Sequence, residues 1–201
     1  MSNPSDVASG ALELLLSRRS NSLLTAPGPN ARELNLILQA AARAPDHASL
    51  RPWRFRVIEG EAIGRLADFA IAAVKAAGDA RMTPEKEHAV RAWLAKVPLV
   101  VALGHEIHHD HPKAPEWEQL AAASAAVMNM LNAAHFLGYG AFWSTGLGTA
   151  VEEVQEGLGF DPLSYRFMGY LVIGTSAVPA QGSARQAPDA YVSPWTAPEG
   201  L

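Results

Sequence analysis

The sequence predicts an α+β domain in which helices outnumber strands and surround a buried central strand. Three observations carry that expectation. Apolar residues recur at helical spacing through four stretches of the first half. The run Pro98-Leu99-Val100-Val101-Ala102-Leu103-Gly104 is apolar without interruption, as in a strand covered on both faces, and no Asp, Glu, Lys or Arg occurs from Leu120 to Val151.

Composition narrows the class. With 201 residues, 49% hydrophobic and 18% charged, the chain is sized for one globular domain, residues 1–201. A net charge of −4 leaves no basic excess to neutralise a phosphate backbone, which argues against a nucleic-acid partner. The lack of cysteine excludes disulfides, thiolate metal sites and cysteine nucleophiles, and it fits a reducing compartment. Met1 to Gly10 has neither a basic start nor an apolar block, so it does not read as a secretory signal, and a cytoplasmic protein is expected.

The first helix is predicted from Ser5 to Arg19, with Val7, Ala11, Leu12, Leu14, Leu15 and Leu16 crowding one face. Its end, Ser17-Arg18-Arg19-Ser20, admits two readings. Two arginines complement the negative end of a helix dipole, or they clamp an anion with the serine hydroxyl as a further donor. Asn30 caps a second helix carrying Leu34, Ile37, Leu38 and Ala41, which delivers Arg43 to a loop held between Pro45 and Pro52. That loop, Asp46-His47-Ala48-Ser49-Leu50-Arg51, is polar and braced by prolines, the setting in which functional groups are mounted or in which a solvated connection simply links two elements. Trp53 to Glu59 alternates as a strand. A third helix runs from Gly60 to Ala77, and a fourth from Pro84 to Trp93.

Beyond Gly104 stands His105-Glu106-Ile107-His108-His109-Asp110-His111, a literal His-Glu-x-x-His match. Zinc peptidases need that spacing on a helix, where residues four apart share a face. Here the run leaves a strand and meets Pro112 and Pro115, so a solvated histidine-rich loop is expected and no metal site is assigned. The uncharged run from Leu120 is long enough for a membrane span, yet its Asn129, Asn132, His135 and the break at Gly138-Tyr139-Gly140 indicate a helix packed on both sides in a core or subunit interface. Ala141-Phe142-Trp143 resumes a strand. Ser144-Thr145-Gly146-Leu147-Gly148-Thr149 follows, where glycines let a ligand approach the backbone. Phe167 to Ile173 is the last strand, and after Arg185 the proline-rich tail is expected to wrap a neighbour.

Taken in order, Arg18-Arg19-Ser20, Ala44-Pro45-Asp46-His47, Pro52-Trp53-Arg54-Phe55, Pro115-Glu116-Trp117-Glu118-Gln119 and Gly169-Tyr170-Leu171-Val172-Ile173-Gly174 resemble the nitroreductase family, in its compact branch, over residues 8 to 180. The resemblance implies a central mixed or antiparallel sheet flanked by helices, with the long buried helix at a homodimer interface. It also implies FMN in clefts shared between subunits and NAD(P)H as electron donor. Arg18, Arg19 and Ser20 would hold the phosphate and ribitol, and Arg43 and His47 would reach the same flavin from the other subunit. Trp143, Ser144 and Thr145 would lie along the isoalloxazine, with the Thr145 amide near N5. The implied activity is ping-pong transfer from NAD(P)H to a nitro-aromatic, quinone-like or related small-molecule acceptor. Other classes stay open: a flavin-binding dimer that senses or handles flavin without turnover, and a metal-binding protein using residues 105–111. The chain also departs from the family pattern. Ser22 stands where many relatives carry a base, which leaves Arg43 or His47 to face flavin N1. Ser49 and Arg51 replace an Asn and a Gln, and the tail lacks the basic residues that often complete the phosphate site.

Overall fold

The computed structural model describes residues 4–180 and 184–198. Its elements in chain order are α1 (Pro4–Ser17), β1 (Leu24–Thr25), α2 (Ala31–Ala41), β2 (Trp53–Glu59), α3 (Glu61–Ala76), α4 (Pro84–Leu94), β3 (Leu99–Glu106), α5 (Glu116–Phe136), β4 (Gly140–Ser144), α6 (Glu152–Gly157) and β5 (Tyr165–Ser176). The sheet runs β1-β5-β3-β2, with β4 also on β5, and every pairing is antiparallel.

Side chains alternate across β3 and β5, and each set meets its own helix layer. Val100, Ala102, Tyr170 and Val172 pack with α3, α4 and α6, while Leu99, Val101, Leu103, Leu171 and Ile173 pack with α2 and α5. Cover on both faces is why Leu99 to Leu103 is uniformly apolar. β5 is the longest strand because it serves three partners. Opposite Leu103 and Gly104 its register slips, leaving Met168 as the extra residue of a bulge.

Local chemistry sets the helix starts. Asn30 accepts from the Glu33 amide while the Glu33 carboxylate accepts from the Asn30 amide, a capping box. Thr83 caps α4, with Pro84 in its first turn.

Several expectations are corrected. α1 ends at Ser17, so Arg18 and Arg19 lie beyond it, and α2 ends at Ala41. α5 begins at Glu116, ahead of the uncharged run from Leu120, so Glu116 to Gln119 form its first turn. β1 and α6 are further elements beyond those the sequence predicts. β3 continues through His105 and Glu106, and His105 is 1% exposed, so the histidine run does not begin as a solvated loop. α5 buries Ala122, Ala123, Ala126, Val127, Met130 and Ala134 but leaves Met128 and Phe136 exposed, so one chain covers only part of this helix.

Candidate functional site

Beyond Ser17 the chain runs extended, and the Asn21 amide donates to the Ala141 carbonyl of β4 at 3.0 Å. Asn21 is buried. Its Nδ2 donates to the Val178 carbonyl and its Oδ1 accepts from the Leu23 amide, both at 2.9 Å. Arg18, Arg19 and Ser20 are thus held between a helix end and a strand. The two readings of the arginine pair divide between its members. Arg19 Nη1 donates to the Leu16 and Arg18 carbonyls at 3.1 Å, serving the helix end. Among the described residues, Arg18 Nη1 is buried without a hydrogen-bond partner.

Arg185 Nη2 donates to the Arg18 carbonyl at 3.1 Å, which brings a third guanidinium to the same place. Burial, and then the charges of Arg185 and Arg19, pull the Arg18 pKa below its ordinary value. A half-buried cation beside two others, with an unsatisfied donor, calls for an anion. Arg19 also lines a cleft of about 330 Å³ with Ser17, Asn21, His135 and Tyr139.

The far end of β4 carries the other expected group. Trp143 Nε1 donates to the Met168 carbonyl at 2.8 Å, an acceptor freed by the β5 bulge. Gly169 sits at φ +97°, and a Cβ there would strike the Ser144 carbonyl, so glycine is what lets Ser144 and Thr145 lie against β5. The following turn is fixed. Thr149 Oγ1 donates to the Gly146 carbonyl at 2.7 Å, and the Tyr170 hydroxyl to the Leu147 carbonyl at 3.3 Å. Thr145 is exposed and lines a cavity of about 410 Å³ whose opposite wall includes Asp79, Arg81, Met82 and Lys86. β4 alone separates the arginine segment from this turn, and five residues of strand span about 16 Å.

Arg43 and His47 lie elsewhere. Among the described residues, no hydrogen bond or ion pair joins either to Arg18, Ser144 or Thr145. Arg43 is exposed and lines an apolar groove with Leu12, Leu15, Asn132 and Phe136. His47 Nδ1 lies 2.6 Å from Glu118 Oε2, tying the loop to α5. Ala48, Ser49 and Arg51 all adopt left-handed backbone, at φ 63°, 57° and 50°. Such conformations cost about 1 kcal/mol or more each and persist where the surroundings impose them. Here Asp46 Oδ2 accepts from the Arg51 amide at 2.6 Å and Arg54 Nη1 donates to the Arg51 carbonyl at 2.7 Å.

Residues 15–175 match the sequence profile described as the Nitroreductase family. The chain belongs to the nitroreductase family. It is 38% identical over 173 residues to the Escherichia coli (strain K12) protein named "Putative NAD(P)H nitroreductase YdjA", covering 86% of this chain and 92% of that one. The nitroreductase-like family protein of Bacillus cereus superposes with a TM-score of 0.80 at 21% identity, covering 93% of this chain and 96% of that one. A Bacteroides fragilis nitroreductase with bound FMN superposes at 0.70 and 22% identity, covering 97% and 100%. At those identities the two structures speak for the fold.

Within this nitroreductase fold the histidine run is structural. His105 lies in β3 and His109 in the following turn, so the His-Glu-x-x-His match is not presented on one helix face. His109 Nδ1 meets Glu116 Oε1 at 2.8 Å and its Nε2 meets the Leu163 carbonyl at 2.9 Å, contacts that raise its pKa. The His108 backbone exchanges hydrogen bonds with Gln119 at 2.9 Å in both directions. The segment therefore stitches β3 onto the start of α5. Among the described residues, no group of three or more His, Asp or Glu side chains is placed to hold a metal ion. No described helix is long and apolar enough to cross a membrane. The residue that sequence reasoning missed is Arg185. The tail does supply a base to the Arg18 cluster, and the available signal was its place as the last basic residue before the proline-rich stretch.

Proposed function

We propose that the chain is an FMN-dependent oxidoreductase that takes electrons from NAD(P)H and passes them to a nitro-aromatic, quinone-like or related acceptor in alternating, ping-pong fashion. The carrying observation is the buried, unpartnered Arg18 nitrogen beside Arg19 and Arg185. A phosphate there fills a donor that otherwise costs about 1–3 kcal/mol to leave unmade, and it relieves repulsion among three cations. Arg18, Arg19, Ser20 and Arg185 would hold the phosphate end. Trp143, Ser144 and Thr145, one strand length away, would lie along the ring, with the Thr145 amide as the donor toward N5. When bound, FMN supplies the redox chemistry between donor and acceptor. The protein's share is to fix the ends of the site, which the bulge at Met168 and the glycine at 169 do for the ring segment.

The reading includes a homodimer. Leu12 and Leu16 of α1 are 57% and 71% exposed, Phe136 of α5 is 46% exposed, and between the two helices runs the groove lined by Leu12, Leu15 and Phe136. Exposed apolar surface on two adjacent helices fits a subunit interface. Beyond the helices, Trp195 of the tail is 81% exposed, and among the described residues the outer edge of β2 pairs with no strand. Arg43 lines this groove and on this reading would reach a partner's flavin. His47 has one ring nitrogen engaged by Glu118, which favours Arg43 as the group facing N1.

The test is FMN affinity and turnover in wild type and Arg18→Ala. Wild-type protein is expected to bind FMN and to consume NAD(P)H steadily with a nitroarene. R18A is expected to bind FMN about 10- to 100-fold more weakly, the loss of a charge-assisted hydrogen bond. Protein that binds no added FMN, or R18A with unchanged affinity, contradicts the reading. Flavin bound without steady turnover points to the non-catalytic flavin-binding alternative.

A further inference from the structure

The cavity beside Thr145 lies between segments distant in the chain. One wall is the turn 145–151 after β4, and the other is the connection from α3 to α4 with the first turn of α4. Its volume, about 410 Å³, is that of a small-molecule site. Val74, Met82, Leu147 and Val151 contribute apolar surface, and the charges are Asp79, Arg81 and Lys86. Two of the three cancel. Arg81 Nε and Nη2 meet the two Asp79 oxygens at 2.8 and 2.6 Å, and the Arg81 amide donates to Asp79 Oδ1 at 3.0 Å. These bonds hold the Asp79 carboxyl down to a pKa of about 2, so the pair stays ionised and closes the connection on itself. Lys75 is taken by Glu87, whereas Lys86 forms no ion pair among the described residues. The cavity is thus left with one uncompensated cation over an apolar lining.

We propose that this cavity receives the ring of the electron acceptor and that Lys86 selects acceptors carrying a carboxylate. The proposal rests on the reading of Thr145 as the residue beside the reactive end of FMN. A flat apolar ring with one acid group matches the lining, with the ring against Met82, Leu147 and Val151 and the acid at the ammonium. Lys86 is exposed, so screening keeps its effect modest.

The test compares 4-nitrobenzoate with 4-nitrobenzamide, alike in shape and different in charge, as acceptors for the FMN-loaded protein in wild type and Lys86→Met. The ratio of kcat/KM for the acid over the amide is expected to fall about threefold to fivefold in K86M, the size of an exposed ion pair. Calorimetric binding of 4-nitrobenzoate to the oxidised holoprotein, without NAD(P)H, is expected to weaken by the same factor. An unchanged ratio and affinity overturn the proposal. An effect of K86M confined to the preference for NADPH over NADH also overturns it, by placing the coenzyme's 2′-phosphate at Lys86. Failure of the flavin reading looks different: the protein then neither binds FMN nor oxidises NAD(P)H with either acceptor, and the proposal falls with it.

Discussion

At the scale of single residues, Arg18, His105, His108 and Asn132 each bury a side-chain polar atom without a hydrogen-bond partner among the described residues, and of these Arg18 and His105 differ in kind. The unpartnered Arg18 nitrogen belongs to a cluster of cations and points to an anionic ligand. His105 has both ring nitrogens buried without hydrogen-bond partners among the described residues, on a strand paired by β2 and β5 on either side. Burial first, and then the charge of Arg166, lowers its pKa from 6.5, while Glu116 opposes them. The fold therefore disfavours the imidazolium form of His105. Its contribution to stability is complete above pH 6.5 and is lost as pH falls from there through the lower folded-state value, because the unfolded chain binds the proton first. His109, whose pKa is raised by the Leu163 carbonyl and Glu116, works in the opposite sense: its contribution is present below pH 6.5 and is lost as pH rises through its folded value. Denaturant titrations between pH 7.5 and 5, values chosen to bracket an ordinary imidazole at about 6.5, are expected to show a shallower acid-side loss in His105→Phe than in wild type. Parallel curves would contradict this account of His105.

At the scale of elements, β3 and β5 were legible because cover on both faces writes itself as an unbroken apolar run, and α2 because Asn30, Glu33 and the spacing of Ile37 and Ala41 agree. β1 was not legible: two residues carry no period. Nor was α6, in which only Val154 is buried among charged neighbours. Polarity at His105 hides the end of β3 in the sequence, although β2 and β5 pair on both sides of it. Of the candidate site, the Arg18 to Ser20 segment and the Trp143 to Thr145 segment were both visible in sequence. Arg185 was not, since its contact with Arg18 spans 167 positions. The glycine of the Gly-Tyr-Leu motif acquires its reason only from packing, as the close approach of the Ser144 carbonyl and φ of +97° exclude a side chain. Gly169→Ala is accordingly expected to cost at least about 1 kcal/mol of stability and to displace Ser144 and Thr145. Melting temperature and FMN affinity should fall together in that variant. Wild-type values of both would show that the turn after β4 does not depend on this approach.

For the molecule as a whole, the sheet and its two helix layers form a complete core, yet the surface of one chain is unfinished. α1 and α5 leave apolar side chains in water, residues 184–198 lie exposed, and among the described residues no hydrogen bond or ion pair joins Arg43 or His47 to Arg18. The apolarity of α5 was readable in sequence, whereas which of its faces one chain leaves exposed was not, because composition has no direction. On the proposed reading, a dimer completes the flavin site. Sedimentation of wild type and Leu12→Glu, followed at the visible absorption of FMN, measures this dependence. A buried leucine exchanged for a charge at such an interface is costly to association, of the order of several kcal/mol. The flavin signal is expected to travel only with a dimer, and L12E is expected to sediment as a folded monomer without flavin. A monomer that carries FMN, or a dimer that binds none, would contradict the account.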